Sequence, residues 1–357
     1  MRLYILVSED NVMRALSVII IAIAVHLCYI PIIAQDRVRR AHAGIIVVEN
    51  DSTARAMEPY NANSRGLNEY LRVVGKYQRT FPQAQVYCML VPNAVAFYCP
   101  EEAHEWTQDE GPVIERALGS LPPKVKAVNL MPILSEHIDE PIYSRTDHHW
   151  MPLGAYYAAS HFSFEADVPF LDMDCYKADT IRNFVGTMYK FSHDAAVARY
   201  PELFVYYVPQ CVKYEIRRTV YTYSTTRTGR GRRKRVHKSL TAKQQPETTF
   251  FRSFPDGSGA AYSTFMGGDL NQTSVTTEIH NGRRLLILKD SYGNALPPCL
   301  FGSFEEIHVV DCRYFIGNMT DFVRRNKITD ILFANNLIHA SSPVTSQTLE
   351  RYLTQKR

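Results

Sequence analysis

Short runs of branched aliphatic residues recur along this chain, separated by stretches whose apolar positions repeat every three or four residues. Gly44 to Glu49 (GIIVVE), Gln85 to Val91 (QVYCMLV) and Val125 to Leu130 (VKAVNL) read as strands, and Asn68 to Phe81 and Val113 to Leu118 as helices. Ser144 to Ala159 passes from a polar loop into a helix, with Pro152 suited to the first turn. Strand signals return at Arg284 to Lys289 (RLLILK), Glu306 to Val310 (EIHVV) and Ile328 to Ala334 (ITDILFA). These runs are continuous rather than alternating, the mark of strands buried on both faces. The order predicts an α/β fold, a parallel sheet covered by helices.

Between about Glu165 and Thr264 the pattern changes to alternating aromatic and polar residues, as in Val205 to Val208 and Tyr214 to Tyr223. A β-rich insertion is predicted there, with an exposed loop at the basic run Arg227 to Lys238 (RTGRGRRKRVHK). Much of the basic excess behind the net charge of +4 sits in that run, so the rest is near neutral and no nucleic-acid partner is expected. With 46% apolar and 21% charged residues, the 357-residue chain has an ordinary globular balance.

Ala15 to Ala34 is different: about 20 mostly apolar residues without a formal charge, long enough to cross a bilayer. Residues 1–34 are expected to be a signal peptide or a membrane anchor, with the body outside the cytoplasm. Met13-Arg14 would make a compact leader start, whereas Ile32 suits a cleavage site near Ala34 poorly, and arginines flank both ends of the segment. Cys28 lies within it. The other six cysteines, Cys88, Cys99, Cys175, Cys211, Cys299 and Cys312, contain no CxxC pair, which argues against a zinc ribbon or redox motif. Cys88 with Cys99 is a candidate disulfide for an exported protein, and buried free thiols are an equal expectation.

Functional residues of open α/β sheets gather beyond the carboxyl ends of strands. Lys289-Asp290-Ser291, Asp311-Cys312-Arg313-Tyr314 and Asn335-Asn336 are expected there. A strand, Asp-Ser, helix order would put the Ser291 hydroxyl and N–H at a helix N-terminus, where a developing oxyanion is favoured. The same order also describes a simple helix cap. A nucleophilic serine needs a base, and the base needs a partner that fixes its tautomer. In an extended TDHHW loop, Asp147 and His149 would project to one side and His148 to the other. The three are also zinc-binding residue types, although neighbouring histidines would diverge from one ion. No metal and no cofactor are expected. Trp150 is either a packing residue or a sugar platform.

In sequence order, PILSEHIDEPIYSRTDHHWMPLGAYYAA, YSTFMGGD, LLILKDSYGNALPPCLFGSFEEIHVVDCRYF and DILFANN resemble the bacterial DHHW-motif proteins. Those are similar to the SGNH-like acetyltransferases of the alginate O-acetylation type. The likeness runs from Pro92 to Asn336, and TDHHW and KDSYGNAL are its specific parts. It implies an SGNH-hydrolase-like, flavodoxin-like catalytic domain over residues 44–357, with permuted motif order and a 165–264 insertion that no motif covers. By the same resemblance Asp147 is the triad aspartate, His149 the base and Ser291 the nucleophile, with His148 in a variable position.

Ordinary SGNH hydrolases complete the oxyanion hole with a Gly and an Asn from later strands. Asn335 or Asn336 matches that Asn, and Arg313 and Tyr314 stand where the Gly would be sought. Trp150, Tyr292 and His148 are candidates for substrate contact. Gly267-Gly268-Asp269 is expected to form a tight turn beside the site. The implied function is O-acetylation of an envelope or secreted polysaccharide through an acyl-enzyme, with a membrane-bound partner delivering the acyl group. The same three residues would serve an esterase, and a glycan-binding protein without turnover is a rival of another class.

Overall fold

The computed structural model describes residues 36–228 and 235–355, so Ala15 to Ala34, Cys28 and the centre of the basic run lie outside the described residues. The chain divides into Met1–Arg37 and Val38–Arg357, and the second unit carries the fold. Its strands are β1 (Arg37–Arg40), β2 (Ile46–Glu49), β3 (Ala54–Met57), β4 (Gln85–Val91), β5 (Val125–Val128), β6 (Tyr176–Phe184), β7 (Glu202–Pro209), β8 (Tyr214–Thr228), β9 (Arg235–Glu247), β10 (Gln272–Thr277), β11 (Arg284–Lys289), β12 (Glu306–Asp311) and β13 (Asp330–Asn336). The helices that matter to the site and core are α1 (Ser64–Thr80), α2 (Glu110–Gly119), α3 (Pro152–Ala166), α4 (Thr187–Ser192), α5 (Met319–Arg325) and α6 (Pro343–Thr354).

The main sheet has the order β5-β4-β13-β11-β12-β10-β8-β9. Its first five strands are parallel, with Leu288 opposite Phe333 and Val310, and Phe333 opposite Cys88. The strands β4, β11 and β13 are buried almost throughout because helices cover both faces. On one face Phe333 meets Tyr70 and Tyr77 of α1 edge-on, at 6.1 and 5.0 Å between ring centroids. Adjacent side chains alternate across a strand, so Tyr87 turns the other way and meets Phe162 of α3 at 5.1 Å. Asn63 starts α1 by accepting from Gly66 N–H at 3.1 Å, and Leu67, Tyr70, Leu71, Val74 and Tyr77 form its buried stripe.

The sheet departs from the expected parallel one in two places. The strand predicted at Gly44 to Glu49 exists as β2 but pairs antiparallel with β3 in a separate three-stranded sheet. Only Asn50 to Thr53 separates the two, and Asn50 Oδ1 closes that turn by accepting from Ser52 and Thr53 N–H; a parallel crossover needs a far longer connection. At the other end, β10, β8 and β9 extend the main sheet antiparallel. The region read as an insertion therefore supplies the β6–β7 pair and also two strands of the central sheet, with α3 running on to Ala166. The strand β10 (QTSVTT) escaped prediction because its residues are polar, although β-branched Thr and Val favour strands.

Cys88 and Cys99 are not paired with each other but free, Cys88 as a buried thiol, and the disulfide joins Cys175 to Cys211. Cys88 lies buried inside β4, whereas Cys175 and Cys211 flank the β6–β7 pair, whose register sets Tyr176 opposite Pro209. That register brings their Cα atoms to 5.2 Å, within disulfide range. Among the described residues no helix is long and apolar enough to cross a membrane.

Candidate active site

Parallel register brings the ends of β4, β11, β12 and β13 to one edge of the sheet, and Ser291 stands there directly after β11. It opens a single 3-10 turn, Ser291–Asn294, followed by a second at Pro297–Leu300. The expected helix is thus too short to supply a macrodipole, and the N–H groups of Tyr292 and Gly293 are spent on Asp290. Asp290 fixes the turn from both sides, accepting from Tyr292 N–H at 3.0 Å and Asn336 N–H at 2.8 Å.

Beneath the turn, buried Lys289 donates to Asn294 Oδ1 at 2.5 Å and to Asp311 Oδ2 at 2.8 Å. Burial would raise the Asp311 carboxyl, but Arg313 and Lys289 hold it down at about 2. Asn294 also donates to Asp269 at 3.0 Å, and Arg313 pairs with Asp269 at 2.8 Å. The GGD block is a tight turn, Gly267 and Gly268 having φ of 83° and 101°, and it delivers Asp269 to this network.

The TDHHW loop is compact rather than extended, because Glu202 of β7 gathers it. Glu202 accepts from Arg145 N–H at 3.0 Å, Thr146 N–H at 2.9 Å, Thr146 Oγ1 at 2.6 Å, and Ser144 Oγ. Ser144 Oγ in turn accepts from Asp147 N–H at 2.8 Å. From this hub Asp147 Oδ1 reaches His149 Nδ1 at 2.8 Å, and His149 Nε2 lies 2.9 Å from Ser291 Oγ. Thr187, at the start of α4, donates from its N–H to Asp147 Oδ2 at 3.2 Å and from its hydroxyl to Oδ1 at 3.3 Å. The His149 ring lies flat on Tyr262, at 3.8 Å and 7°. Asp147 and His149 are buried while Ser291 is half-buried, so the hydroxyl is the reachable member of the chain.

Burial opposes charge on Asp147, but His149 and His148 outweigh it and hold its carboxyl well below the usual range. Burial, reinforced by repulsion from His148, pushes His149 below an ordinary imidazole. Burial also acts against charge on His148, yet Asp147 prevails and raises it. A neutral imidazole with Nδ1–H directed at Asp147 has its Nε2 lone pair available for the serine proton.

His148 does not point away as an extended loop would require. Its Nδ1 lies 3.1 Å from the same Asp147 Oδ1, and its ring is 3.7 Å from that of His149. Asp147, His148 and His149 each place one donor atom within 4.8 Å of the others, a spacing that could suit a cation. Both ring nitrogens of His149 are already committed to Asp147 and Ser291, however, and binding an ion would break one of those contacts.

Trp150 is fully buried and donates its indole N–H to Tyr292 O at 2.8 Å; Tyr262 OH donates to the same oxygen at 2.6 Å. Tyr292 is buried too, its hydroxyl donating to Asn93 Oδ1 at 3.2 Å and to His148 O. Both residues build the site from behind, and neither offers a face to a sugar. Of the three substrate-contact candidates only His148 keeps surface, with 23% of its side chain exposed.

The four oxyanion candidates separate. Asn335 is buried and accepts from Tyr70 OH on α1 at 2.7 Å. Asn336, on the other face of β13, joins the Ser291 turn through Asp290 but spends its amide on Asn93 Oδ1 at 2.6 Å. Arg313 is committed to Asp311 and Asp269, and Tyr314 is 46% exposed. Asn93 was not singled out, although it follows β4 at the same edge; its N–H and amide donate to Glu110 at 2.9 and 2.6 Å. Burial pushes that carboxyl up to about 7 despite both bonds. Glu202, Gly186 and Thr187 lie in the segment that no motif covers, so nothing in the sequence marked them.

The model of the DHHW protein family matches residues 39–216. A crystal structure of a DHHW family protein from Eubacterium siraeum is 35% identical, covering 88% of this chain and 97% of that one with a TM-score of 0.74. The chain belongs to the DHHW protein family. PatB1 of Bacillus cereus, solved with a sulfonyl adduct, is similar in fold to this chain at 17% identity, over 84% of this chain and 97% of its own, with a TM-score of 0.62. The O-acetyltransferase domain of Pseudomonas putida AlgJ is 12% identical over 89% of this chain and 99% of its own; its TM-score of 0.41 carries no argument. No curated protein matches the sequence.

Proposed function

We propose that this DHHW protein is an O-acyltransferase, an acetyltransferase in the first instance, that modifies hydroxyls of an envelope or secreted polysaccharide through a Ser291–His149–Asp147 triad. The observation that carries the reading is the continuous chain from Asp147 Oδ1 to His149 Nδ1 at 2.8 Å and from His149 Nε2 to Ser291 Oγ at 2.9 Å. His149 removes the Ser291 proton as Oγ attacks the ester carbonyl of the donor, and then protonates the departing alcohol. The acceptor hydroxyl gives its proton to His149 as it attacks the acyl-enzyme, and the serine oxygen leaves with that proton. Asp147 holds the His149 tautomer throughout. The developing oxyanion is met by the Ser291 N–H, since Tyr292 N–H and Gly293 N–H already donate to Asp290, with Asn93 and Asn336 bracing Tyr292 and Asp290 behind the turn. None of Asn335, Asn336, Arg313 and Tyr314 is assigned that role.

The polysaccharide acceptor and a membrane-bound partner supplying the acyl group rest on the motif resemblance, as do the permuted SGNH-type order and the catalytic domain over 44–357. The Cys175–Cys211 disulfide favours an oxidising compartment. Together with the apolar segment Ala15 to Ala34 it supports residues 1–34 as a leader or anchor and an extracytoplasmic body.

Hydrolysis of p-nitrophenyl acetate should be measured first, with loss of turnover expected in Ser291→Ala. Undiminished turnover in that variant would remove the triad. Adding polysaccharide and weighing acetylated product by mass spectrometry then separates transfer from esterase action. Turnover lost to chelator and restored by zinc would instead favour an ion among Asp147, His148 and His149, whose donor atoms lie within 4.8 Å of one another.

A further inference from the structure

His148 is given no task by the triad, yet its surroundings are as defined as those of His149. Its Nδ1 lies 2.6 Å from Thr187 Oγ1 and 3.1 Å from Asp147 Oδ1. That oxygen is also the one facing His149 Nδ1 at 2.8 Å, so two imidazoles share one carboxylate oxygen. Their rings are 3.7 Å apart, and Phe191 of α4 and Tyr292 lie beyond the His148 ring at 5.9 and 6.1 Å. The other charges acting on His148 are those of Glu58, just past β3, and Asp290, which caps the Ser291 turn.

Two imidazolium rings at this separation repel, and one carboxylate cannot neutralise both. His149 is sealed under Tyr262 with Nε2 on the serine hydroxyl, whereas His148 keeps contact with solvent and feels the charge of Glu58 in addition to those of Asp147 and Asp290, which act on both rings. We propose that His148 is a positioning residue: pinned between Thr187 and Asp147, it takes the first proton as pH falls and so keeps His149 free to act as base. The proposal rests on the triad reading above. The directions agree with it, Asp147 overcoming burial to raise His148 while burial and His148 lower His149.

The test is His148→Asn in the full chain, which retains a neutral donor near Nδ1 and removes the charge. Without the neighbouring cation, and with Asp147 left to His149 alone, His149 should hold its proton to higher pH. The acid limb of kcat/KM for p-nitrophenyl acetate, normalised to each enzyme's plateau, should move up by about one pH unit, or about tenfold at its foot. Superimposable profiles would overturn the proposal, as would a lower plateau with an unmoved limb.

A second measurement does not need turnover. Titration of the His149 ring by NMR in Ser291→Ala, with and without His148→Asn, should show the same upward movement. An unmoved His149 with an inactive Ser291→Ala leaves the triad standing and ends the role of His148. A moved His149 with a fully active Ser291→Ala ends the triad and leaves the coupling between the imidazoles.

Discussion

Gly186 lies so close to Asp147 that a Cβ on it would stand 2.3 Å from Asp147 Cβ and 2.4 Å from Oδ2. The absent side chain lets the backbone before α4 run against the carboxylate, with Gly186 N–H donating to Thr146 Oγ1 at 3.1 Å and Thr187 N–H to Asp147 Oδ2 at 3.2 Å. Gly186→Ala must displace either the strap or the carboxylate. With Asp147 in the proposed triad, misplacing it by about 1 Å costs about 10²-fold, so kcat/KM for the model ester should fall by about that factor with circular dichroism unchanged. A fully active alanine variant would mean that the strap does not position Asp147.

Glu202 makes its contribution from the opposite side of the loop. Its two oxygens receive hydrogen bonds from Ser144, Arg145 and Thr146, all in the approach to Asp147. Glu202→Gln keeps the shape but turns an NH2 group toward buried donors, at an expected cost of about 2–4 kcal/mol in urea unfolding. Activity should fall as well, since Ser144 Oγ also holds Asp147 N–H. Stability within about 0.5 kcal/mol of wild type, the range of an ordinary surface change, would show that the loop does not depend on this hub.

The contrast between these residues and Ser291 shows what the sequence could convey. Gln85 to Val91, Arg284 to Lys289 and the third late strand were readable because strands buried on both faces need unbroken apolar runs, and that need also located the sheet edge where Ser291 stands. The region from 165 to 264 was readable only as β-rich. Nothing local to β8 reveals that it pairs with β10 instead of forming a separate lobe, because pairing partners distant in sequence leave no periodicity. Gly186, Thr187 and Glu202 escaped for the same reason. His148 was misplaced because the two-residue alternation of an extended loop was assumed, whereas Glu202 folds that loop into a turn. Trp150 shows the reverse limit: its residue type is compatible with a sugar platform or a packing residue, and only the structure shows its indole fully buried.

The Cys175–Cys211 disulfide closes a segment with a sequence separation of 36 and ties together the ends of the β6–β7 pair, from which Glu202 reaches the TDHHW loop. Constraining the unfolded chain over a loop of that length stabilises by about 3–4 kcal/mol in the chain-entropy account. Cys175→Ser with Cys211→Ser should therefore lower the melting temperature by several degrees, and reductant should do so in wild type but not in the double variant. Cys88→Ser, by contrast, should leave the response to reductant unchanged, because Cys88 is a free thiol inside β4. Equal sensitivity to reductant in wild type and double variant would place the stabilising bond elsewhere.

Asp311 gives the fold an acid-sensitive foundation beneath Ser291. Its carboxyl sits at about 2 because Arg313 and Lys289 outweigh its burial, whereas an unfolded Asp titrates near about 3.9. A group whose folded value is the lower one stabilises fully above its unfolded value and loses that contribution as pH falls through the folded value. A difference of about two pH units corresponds to about 2.6 kcal/mol, present at neutral pH and draining between about pH 5 and pH 1. Asp311→Asn removes this dependence and leaves Lys289, only 1% exposed, without its closest carboxylate, at a cost of about 3–5 kcal/mol at pH 7. Asp147 contributes to the acid response of both proteins, so the quantity to follow is the difference between their urea unfolding free energies. That difference should shrink steadily from pH 7 through pH 4 to about pH 2.5, as the Asp311 carboxylate takes up its proton. A constant difference across the series would show that the fold does not hold the Asp311 carboxyl below its unfolded value.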